Sequence, residues 1–452
     1  MRRARSDEFD WNFIDRGKSL EEILILLRTL AVPFAFACAF TAAVPSGAAA
    51  QTLDFTKLYD FSATGNPAVV SQPVGAPVLG PFGKFYGVSY YGGPNTCGTV
   101  GQPCGTFFDL TPPASPGDPW TETTIYEFQT HEDGLAENAN PIYYNGVFYG
   151  TTYGGGCPSP GYCNGTIYSI AIHAGKTATK TTLYGFQGGI DGSRPTFLTV
   201  LNDNIYGITN FGGSTNAGVV FELSGSPLTE TVIHTFDGAA EGSYPQYIVP
   251  YNGDLYVSLA YSGLYEGGTI VKLTPPVSPS TTWTSTVIFS FGGPESIAWN
   301  PEGFSFGLNG NIYGSLELGG GGPCTSIYGR YPGCGAIFEL QPSGSGWTYT
   351  QIYGFQDGTD SGSPYAPPVF DGSGNIYVSS TGTKISPKSY GAILELSPAG
   401  SGYTPTVIHT FADGGGADPA GMLTSESGNL YGFATYGGTG NNGTFFSLSP
   451  AP

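Results

Sequence analysis

Three couples of closely spaced cysteines are the most reactive residues of this sequence. Six cysteines follow position 50, and they form the couples Cys97 with Cys104, Cys157 with Cys163, and Cys324 with Cys334. Each couple falls within one predicted loop, which favours local disulfides over long-range pairing. Zinc binding is the alternative, but no couple shows the two-residue spacing of structural zinc sites. We therefore predict three loop disulfides and no metal site.

Acidic residues recur in turns that precede a proline. The turns HEDGLAENANP, GGIDGSRP, AAEGSYP, GTDSGSP and DGGGADP place acids in comparable positions: Asp133, Asp191, Glu241, Asp360 and Asp418. A ring of carboxylates is one way to bind calcium or a cationic ligand, although calcium prefers six to eight oxygens in a dense cluster. Aspartate with glycine before proline is equally an ordinary turn signal. The sequence predicts no cofactor, with calcium as the alternative, and makes the first four acids candidate ligand-binding residues.

A second set of candidate ligand-binding residues is aromatic. One ring follows a predicted strand beside a glycine-rich loop in each of five places: Tyr91, Tyr153, Phe211, Tyr261 and Tyr436. Aromatic rings at a polar mouth stack on sugar faces or hold a peptide. Packing of the loops is the competing interpretation, and the sequence leaves both open.

Catalytic motifs are absent from the sequence. The four histidines are His131, His173, His234 and His409, and no nucleophile pattern, dinucleotide fingerprint or zinc-protease motif accompanies them. An acid pair for glycoside hydrolysis is still able to assemble through folding. The sequence predicts no catalytic residue and favours a protein that is not an enzyme.

The elements that position these residues are repeated. An apolar residue followed by tyrosine opens a strand seven times, at intervals of about 50 to 64 residues, with the tyrosines Tyr86, Tyr149, Tyr206, Tyr256, Tyr313, Tyr377 and Tyr431. Each copy contains four short strand-like runs joined by turns, and no helical period lies between them. We predict an all-β fold, a seven-bladed β-propeller with four antiparallel strands in each blade.

The last copy lacks its fourth strand. The stretch NLYGFATYGGTGNNGTFFSLSP supplies the middle strands of a blade, and a first strand is expected over residues 421–424. The missing strand is found at residues 55–61, FTKLYDF, near the other end of the chain. We predict that this N-terminal strand joins the three C-terminal strands, since closing the ring removes the exposed edges of a linear array. The seven tyrosines are then packing residues between blades.

The repeat resembles a known family. The YG strand, the glycine loop, strands such as GVVFEL and runs such as TVIHTF resemble the GloVer tandem-repeat family of secreted bacterial proteins over residues 55–450. The resemblance implies propeller-like repeats but no particular activity. Members often end in an anchoring tail, whereas this sequence ends just after its last strand, so we expect no surface anchor.

The first 50 residues differ from the rest. They combine basic residues with the apolar stretch TLAVPFAFACAFTAAV and the small-residue run GAAAQ, and we predict a signal peptide cleaved after Ala50. Residues 51–452 then form one propeller domain with 9 basic and 28 acidic residues, which retains the net charge of -19. Such a charge repels nucleic acid and anionic membranes. We expect a secreted or periplasmic monomer that binds neither nucleic acid nor membrane.

Together these features predict an exported binding or interaction module. Its ligand, a glycan or a peptide, is expected on the acidic face that carries the cysteine loops. A carbohydrate-active hydrolase or lyase at the same face, and a structural envelope protein, are the two alternatives, because a propeller fold does not separate these classes.

Overall fold

The structure is a computed structural model, and it describes most of the chain after residue 52. The described residues are 53–61, 70–93, 96–97, 102–129, 133, 141–156, 163–173, 178–294, 296, 298–324, 332–382, 390–412, 415–419, 421, 423–426 and 428–450. The predicted signal peptide lies outside them, as does His131. No helix among the described residues is long and apolar enough to cross a membrane.

Seven four-stranded antiparallel sheets make up the described fold. Blade 1 contains β2 (Ser71–Leu79), β3 (Phe85–Tyr91), β6 (Thr106–Thr111) and β7 (Thr121–Glu127). Blade 2 contains β8 (Ile142–Tyr144), β9 (Val147–Thr152), β10 (Thr166–Ile172) and β11 (Ala178–Gly185). Blade 3 contains β12 (Ser193–Leu201), β13 (Asn204–Phe211), β14 (Val219–Ser224) and β15 (Thr229–Thr235). A small hairpin of β4 (Thr96–Cys97) and β5 (Gln102–Pro103) decorates blade 1, and a 3₁₀ turn spans Pro81–Gly83.

The next three blades repeat this order. Blade 4 contains β16 (Ser243–Tyr251), β17 (Asp254–Tyr261), β18 (Thr269–Thr274) and β19 (Thr284–Ser290). Blade 5 contains β20 (Trp299–Phe306), β21 (Ile312–Leu318), β22 (Ala336–Ser343) and β23 (Gly346–Gly354). Blade 6 contains β24 (Val369–Phe370), β25 (Ile376–Ser380), β26 (Ala392–Ala399) and β27 (Gly402–Thr410). The seven-bladed propeller predicted from the repeat is confirmed.

Blade 7 is built from both ends of the described chain. It contains β28 (Thr424–Glu426), β29 (Asn429–Ala434), β30 (Thr444–Pro450) and β1 (Leu53–Asp60). β1 pairs antiparallel with β30, from Leu53 opposite Pro450 to Asp60 opposite Thr444. The predicted ring closure is therefore confirmed, with the N-terminal strand starting two residues earlier than expected and the first strand of this blade lying later.

A proline joint links neighbouring blades. In six blades a proline lies in the first strand or shortly before it. The residue before this proline has positive φ, and its N–H donates to a carbonyl of the preceding blade: Gln72, Arg194, Tyr244, Asn300, Ser363 and Asp418. The proline packs on a glycine that opens the preceding blade's third strand. At Gly218, with φ +98°, a Cβ would lie 2.5 Å from Cδ of Pro245. Only glycine fits this contact without displacing the joint.

A phenylalanine after each fourth strand completes the joint. Its N–H donates to the carbonyl of the same glycine position in all seven blades, and its ring is buried: Phe61, Phe128, Phe186, Phe236, Phe291, Phe355 and Phe411. The terminal phenylalanine of runs such as TVIHTF is thus a blade fastener rather than the last residue of the strand.

The core consists of apolar layers between adjacent blades. The ring of Tyr86, in blade 1, packs on Phe148 of blade 2 with centroids 4.6 Å apart. Tyr313 belongs to the cluster of blade 6 residues around Ile376 and Leu394. The hydroxyl of Tyr313 donates to Glu339, at 2.7 Å. The apolar-tyrosine pairs therefore serve packing between blades, as predicted.

Disulfide formation is confirmed where the structure describes both partners. Cys324 and Cys334 are bonded within the loop between β21 and β22. Cys104 and Cys163 each take part in a disulfide as well. Their predicted partners, the side chain of Cys97 and the whole of Cys157, lie outside the described part of the chain, so these two pairings stay predictions.

Candidate functional site

In each blade the fourth strand contains a bulge, beside which one side chain lies toward the turn that follows. The pairing of the third and fourth strands skips one residue in each blade: Leu58, Ile125, Leu183, Ile233, Ile288, Ile352 and Ile408. A bulge rotates the residues that flank it. In four blades a tyrosine or histidine next to the bulge contacts the acid of the predicted acidic turn.

These acids act as clamps within their own turns. The carboxylate of Asp191 accepts hydrogen bonds from the Tyr184 hydroxyl at 3.0 Å and from the N–H groups of Gln187 and Gly189 at 2.7 and 3.1 Å. Asp360, which is 4% exposed, accepts from Tyr353 at 2.7 Å and from two backbone N–H groups in the same pattern. The turn chemistry of these carboxylates is therefore built from one repeated geometry.

Two clamps use a basic side chain, lysine in one and histidine in the other. Asp133 accepts from the Lys180 ammonium at 2.7 Å and also from the Tyr126 hydroxyl. Burial alone would raise the pKa of Asp133, but the hydrogen bonds from Lys180 and Tyr126 outweigh it and lower the pKa. At Glu241 the hydrogen bonds from His234 and Ser285 likewise outweigh burial and lower the pKa. Asp133 and Glu241 are thus also bonded to the next blade, through Lys180 and Ser285. No three of these carboxylates are grouped among the described residues.

The predicted aromatic residues of blades 2, 3 and 4 do come together. The Arg194 guanidinium lies 4.9 Å from the ring centre of Tyr153 and 5.0 Å from that of Phe211. Arg194 also donates to the Tyr153 hydroxyl at 2.9 Å. Tyr244 continues the row: its ring centre lies 5.1 Å from that of Phe211 and 5.5 Å from that of Tyr261. We call these five residues the aromatic wall.

The other two predicted aromatics lie across the junction of blades 7 and 1. Tyr436 is 38% exposed. Burial, with smaller effects of Asp418 and Tyr91, raises the pKa of Tyr436. The ring of Tyr91 packs edge-on against Tyr90, at 4.5 Å. Tyr91 and Tyr436 thus form a second aromatic group, and Asp418 belongs to it rather than to a turn clamp.

A cavity of about 320 Å³ lies among the first strands of the blades. It is lined by residues of six blades, including Val74, Thr196, Phe197, Asn210, Tyr244, Gln246, Tyr247, Glu302, Tyr365 and Thr435. Five of these directly follow the joint prolines or their equivalents: Val74, Thr196, Gln246, Glu302 and Tyr365. We call this cavity the channel. Tyr244 borders both the channel and the aromatic wall, so the two form one continuous site.

Glu302 is the buried acid of the channel. Its side chain is 7% exposed, and one carboxylate oxygen accepts from the Gln246 amide at 3.0 Å. No described residue forms a salt bridge with Glu302. Burial, together with the negative charge of Glu317, raises the pKa of Glu302 well above its ordinary value. The site therefore holds an acid that has no cationic partner of its own.

A second carboxylate stands beside it. Glu317 accepts hydrogen bonds from the Tyr365 hydroxyl and from the Asn300 side-chain amide. Burial, and next the charge of Glu317, raise the pKa of Tyr365. Glu302 and Asp418 add to this effect, so the channel side of the site has a negative potential. The positively charged residue of the site is Arg194, which contacts Tyr153 and Phe211 in the aromatic wall.

Most channel residues were missing from the sequence-based candidates. Arg194 of the wall and the channel residues Tyr244, Glu302 and Tyr365 each lie one residue before or after a joint proline. The signal was present: the proline recurs while its neighbours differ in chemistry from blade to blade. In a ring of identical units, positions that face the axis are free to vary, because they contact no repeated partner.

The described part of this site contains neither a metal-binding cluster nor a histidine. Among the described residues no three His, Cys, Asp or Glu side chains are grouped to hold a metal ion. His234 bonds Glu241 at 3.1 Å, whereas His409 stacks on Phe55 with centroids 3.5 Å apart. Both histidines serve the outer strands, and neither reaches the channel.

Comparisons with known proteins identify the family of the repeat and several structures of similar fold. The model of the Gloeobacter/Verrucomicrobia repeat matches residues 101–328 and 252–452. No curated protein matches the sequence. Solved structures that it resembles include PorZ of Porphyromonas gingivalis, a surface component of the type-IX secretion system, at 13% identity and a TM-score of 0.47. That match covers 81% of this chain and 45% of PorZ, so the chain spans less than half of PorZ.

Two enzyme-like structures also match. A protein of Bacteroides fragilis, provisionally assigned as a 6-phosphogluconolactonase, is 13% identical with a TM-score of 0.47, covering 75% of this chain and 86% of that protein. A protein of Thermus thermophilus, provisionally assigned as a glucose dehydrogenase, is 17% identical with a TM-score of 0.40, covering 68% and 94%.

Proposed function

The chain belongs to the Gloeobacter/Verrucomicrobia repeat family, and from the site at its axis we propose that it is an exported binding module that takes a carbohydrate at the aromatic wall and channel. A signal-like leader and loop disulfides support export, since disulfides persist in oxidising compartments. The family match itself carries no activity.

The aromatic wall is the observation that carries this proposal. Four rings lie in one row, and Arg194 fixes two of them from between. Tyr261, at the end of the row, is 51% exposed, so about half of this side chain is accessible to solvent. Rings held in place lose little conformational freedom when a sugar stacks on them.

The channel supplies the polar half of such a site. Gln246 and Glu302 present an amide and a carboxyl beside the wall, and Asn210 adds a second amide, which donates to the Pro245 carbonyl at 2.8 Å. Sugar hydroxyls need both donors and acceptors at fixed places, and amide and carboxyl groups provide them. A ligand with one apolar face and polar edges fits this combination.

A glycan array, followed by calorimetry on the best ligand, tests this function. We expect Tyr261→Ala and Tyr244→Ala to weaken binding at least tenfold, taking as a guide the stacking of a nucleic-acid base on one aromatic ring, which contributes about 1–3 kcal/mol. Phe82→Ala is the matched control, because Phe82 is 77% exposed in the turn between β2 and β3, at the opposite ends of the strands from the wall. Unchanged affinity in both tyrosine variants would rule out the wall as the binding surface.

The second candidate function is hydrolysis or elimination at the same site. Glu302 favours it, because an acid whose pKa is raised by burial is protonated at higher pH and is able to donate that proton to a leaving group. Product analysis of bound glycans separates the two functions. New reducing ends or unsaturated sugars that disappear in Glu302→Gln support the enzyme, and binding without turnover supports the binding module.

The acidic turns make calcium the one candidate cofactor. Their carboxylates already accept several hydrogen bonds each within their own turns. Thermal unfolding with added calcium or with a chelator tests the idea directly. A shift of the melting temperature in opposite directions supports a calcium site, and identical melting in both excludes it.

A further inference from the structure

The channel contains a buried hydrogen-bonding group that no described residue satisfies. The hydroxyl oxygen of Thr196, which is 4% exposed and lines the cavity, has no hydrogen-bond partner among the described residues. Glu302 lines the same cavity, is 7% exposed and forms no salt bridge with a described residue. Buried polar atoms are nearly always paired in folded proteins, so an unpaired hydroxyl beside a buried acid points to a ligand.

The missing partner is a donor with a positive charge. Glu317 and Asp418 make the surroundings of Tyr365 more negative. Arg194 forms no salt bridge with a described carboxylate, and its guanidinium instead contacts Tyr153 and Phe211. A buried carboxylate without a cation is costly, and an entering cation removes that cost.

The walls of the channel are aromatic as well as acidic. The rings of Phe197, Tyr244, Tyr247 and Tyr365 line the same cavity as Glu302. Ring faces attract ammonium groups, most strongly where water is excluded. The cavity of about 320 Å³ accommodates a charged amine and its neighbouring carbon atoms. Acid and rings together select an organic ammonium group over a neutral hydroxyl.

We propose that the channel is an ammonium subsite, in which Glu302 and Thr196 accept hydrogen bonds from the free amino group of an amino sugar while the surrounding rings contact its charge. This proposal rests on the proposed function and specifies its ligand as a glycan with unacetylated amino groups. Because a bound cation stabilises the ionised carboxylate, we expect it to lower the pKa of Glu302, which burial and Glu317 raise in the protein alone.

Calorimetry with two matched oligosaccharides tests the proposal. The probes are the tetramer of β-1,4-linked glucosamine and its fully N-acetylated counterpart, which has the same backbone without the positive charges. We expect the amino form to bind at least tenfold more tightly, and Glu302→Gln to abolish this preference. Thermal unfolding checks that the near-isosteric variant is folded. Asp118→Asn, in an exposed loop between β6 and β7, is the control with the same charge change and should keep the preference.

The outcomes separate the subsite from the function. If both tetramers bind equally and Glu302→Gln changes neither, the ammonium subsite is wrong while carbohydrate binding stands. If neither tetramer binds but the array gives a neutral ligand, the same conclusion holds. If no glycan binds and a lysine tetrapeptide binds in a manner that depends on Glu302, carbohydrate binding fails and the channel is a peptide site. If no probe binds, both proposals are wrong.

Discussion

The acids of this propeller fall into two groups that differ in what they contact. Asp191 and Asp360, in the turns after fourth strands, each accept three hydrogen bonds from their own blade. Glu302, in the channel, accepts one, from Gln246. The turn acids stabilise the fold, whereas the channel acid costs stability unless something binds it. A carboxylate with its hydrogen bonds filled locally is part of the scaffold, and one left without them is the better candidate for function.

The largest expected effect comes from removing a turn acid. Asp360→Ala leaves the Tyr353 hydroxyl and two backbone N–H groups without their acceptor in a nearly buried turn, and we expect a loss of about 3 kcal/mol in the free energy of unfolding. Asp191→Ala removes the same three hydrogen bonds at a more exposed position and should cost about half as much. Denaturant unfolding measures both. A loss below about 0.5 kcal/mol in Asp360→Ala contradicts the clamp.

Neutralising the channel acid should have the opposite sign. In the folded protein the pKa of Glu302 lies well above 4.5, so the folded state retains a proton that the unfolded chain releases. Wild-type stability therefore falls as the pH rises from 4.5 through the folded pKa. The groups that face Glu302 include Glu317, Gln246 and Tyr244. Glu302→Gln keeps the Gln246 contact and removes the titration.

We expect Glu302→Gln to be more stable than wild type at pH 8, by about 1.4 kcal/mol for each unit by which the pKa is raised. The difference should vanish near pH 4, where both states of the wild type are protonated. Unfolding curves at both pH values measure it. A variant that is less stable at pH 8 would mean that Glu302 supports the fold like a turn acid, which removes the distinction between the two groups.

The smallest effects should separate two histidines at equivalent positions. Burial lowers the pKa of His409, so the wild type loses stability as the pH falls below 6.5 toward the folded pKa. His409→Phe keeps the stack on Phe55 but removes the titration. Its free energy of unfolding relative to wild type should therefore be about 1 kcal/mol higher at pH 5.5 than at pH 7.5. His234→Phe instead leaves Glu241 without one donor and should lose about 1 kcal/mol at neutral pH. Equal responses of the two variants would show that repeat position, not local contact, decides their role.

Much of the fold could be predicted because the repeat determines it locally. The strand order, the number of blades and the closing pair of β1 with β30 follow from where the apolar runs and turns fall. The disulfide between Cys324 and Cys334 follows in the same way, because the two residues share a loop. Strand ends were less accurate, since the phenylalanine that looks like the last strand residue bonds across to a glycine carbonyl instead.

The site was predicted only in part. Tyr153, Phe211 and Tyr261 were candidates, and the structure groups them through Arg194 and Tyr244, which the repeat pattern did not single out. The acids of the turns were predicted as candidate ligand-binding residues because the turns recur regularly. Their regularity comes instead from the bulge of each fourth strand and from the clamp that four blades repeat. Residues beside the joint prolines looked irregular in sequence, and that irregularity marks the side of the ring that faces the axis.

The sequence alone determined that the chain forms seven four-stranded units closed by its N-terminal strand, because each unit carries its own strand and turn signals within about 60 residues. Only the tertiary structure decided which side chains meet at the axis. The first strands of blades 3, 4 and 5 are about 50 residues apart along the chain, and a single sequence holds no signal for contacts between them. Closing the ring brings Thr196, Gln246 and Glu302 into one cavity, and there burial turns an ordinary glutamate into an acid that needs a partner.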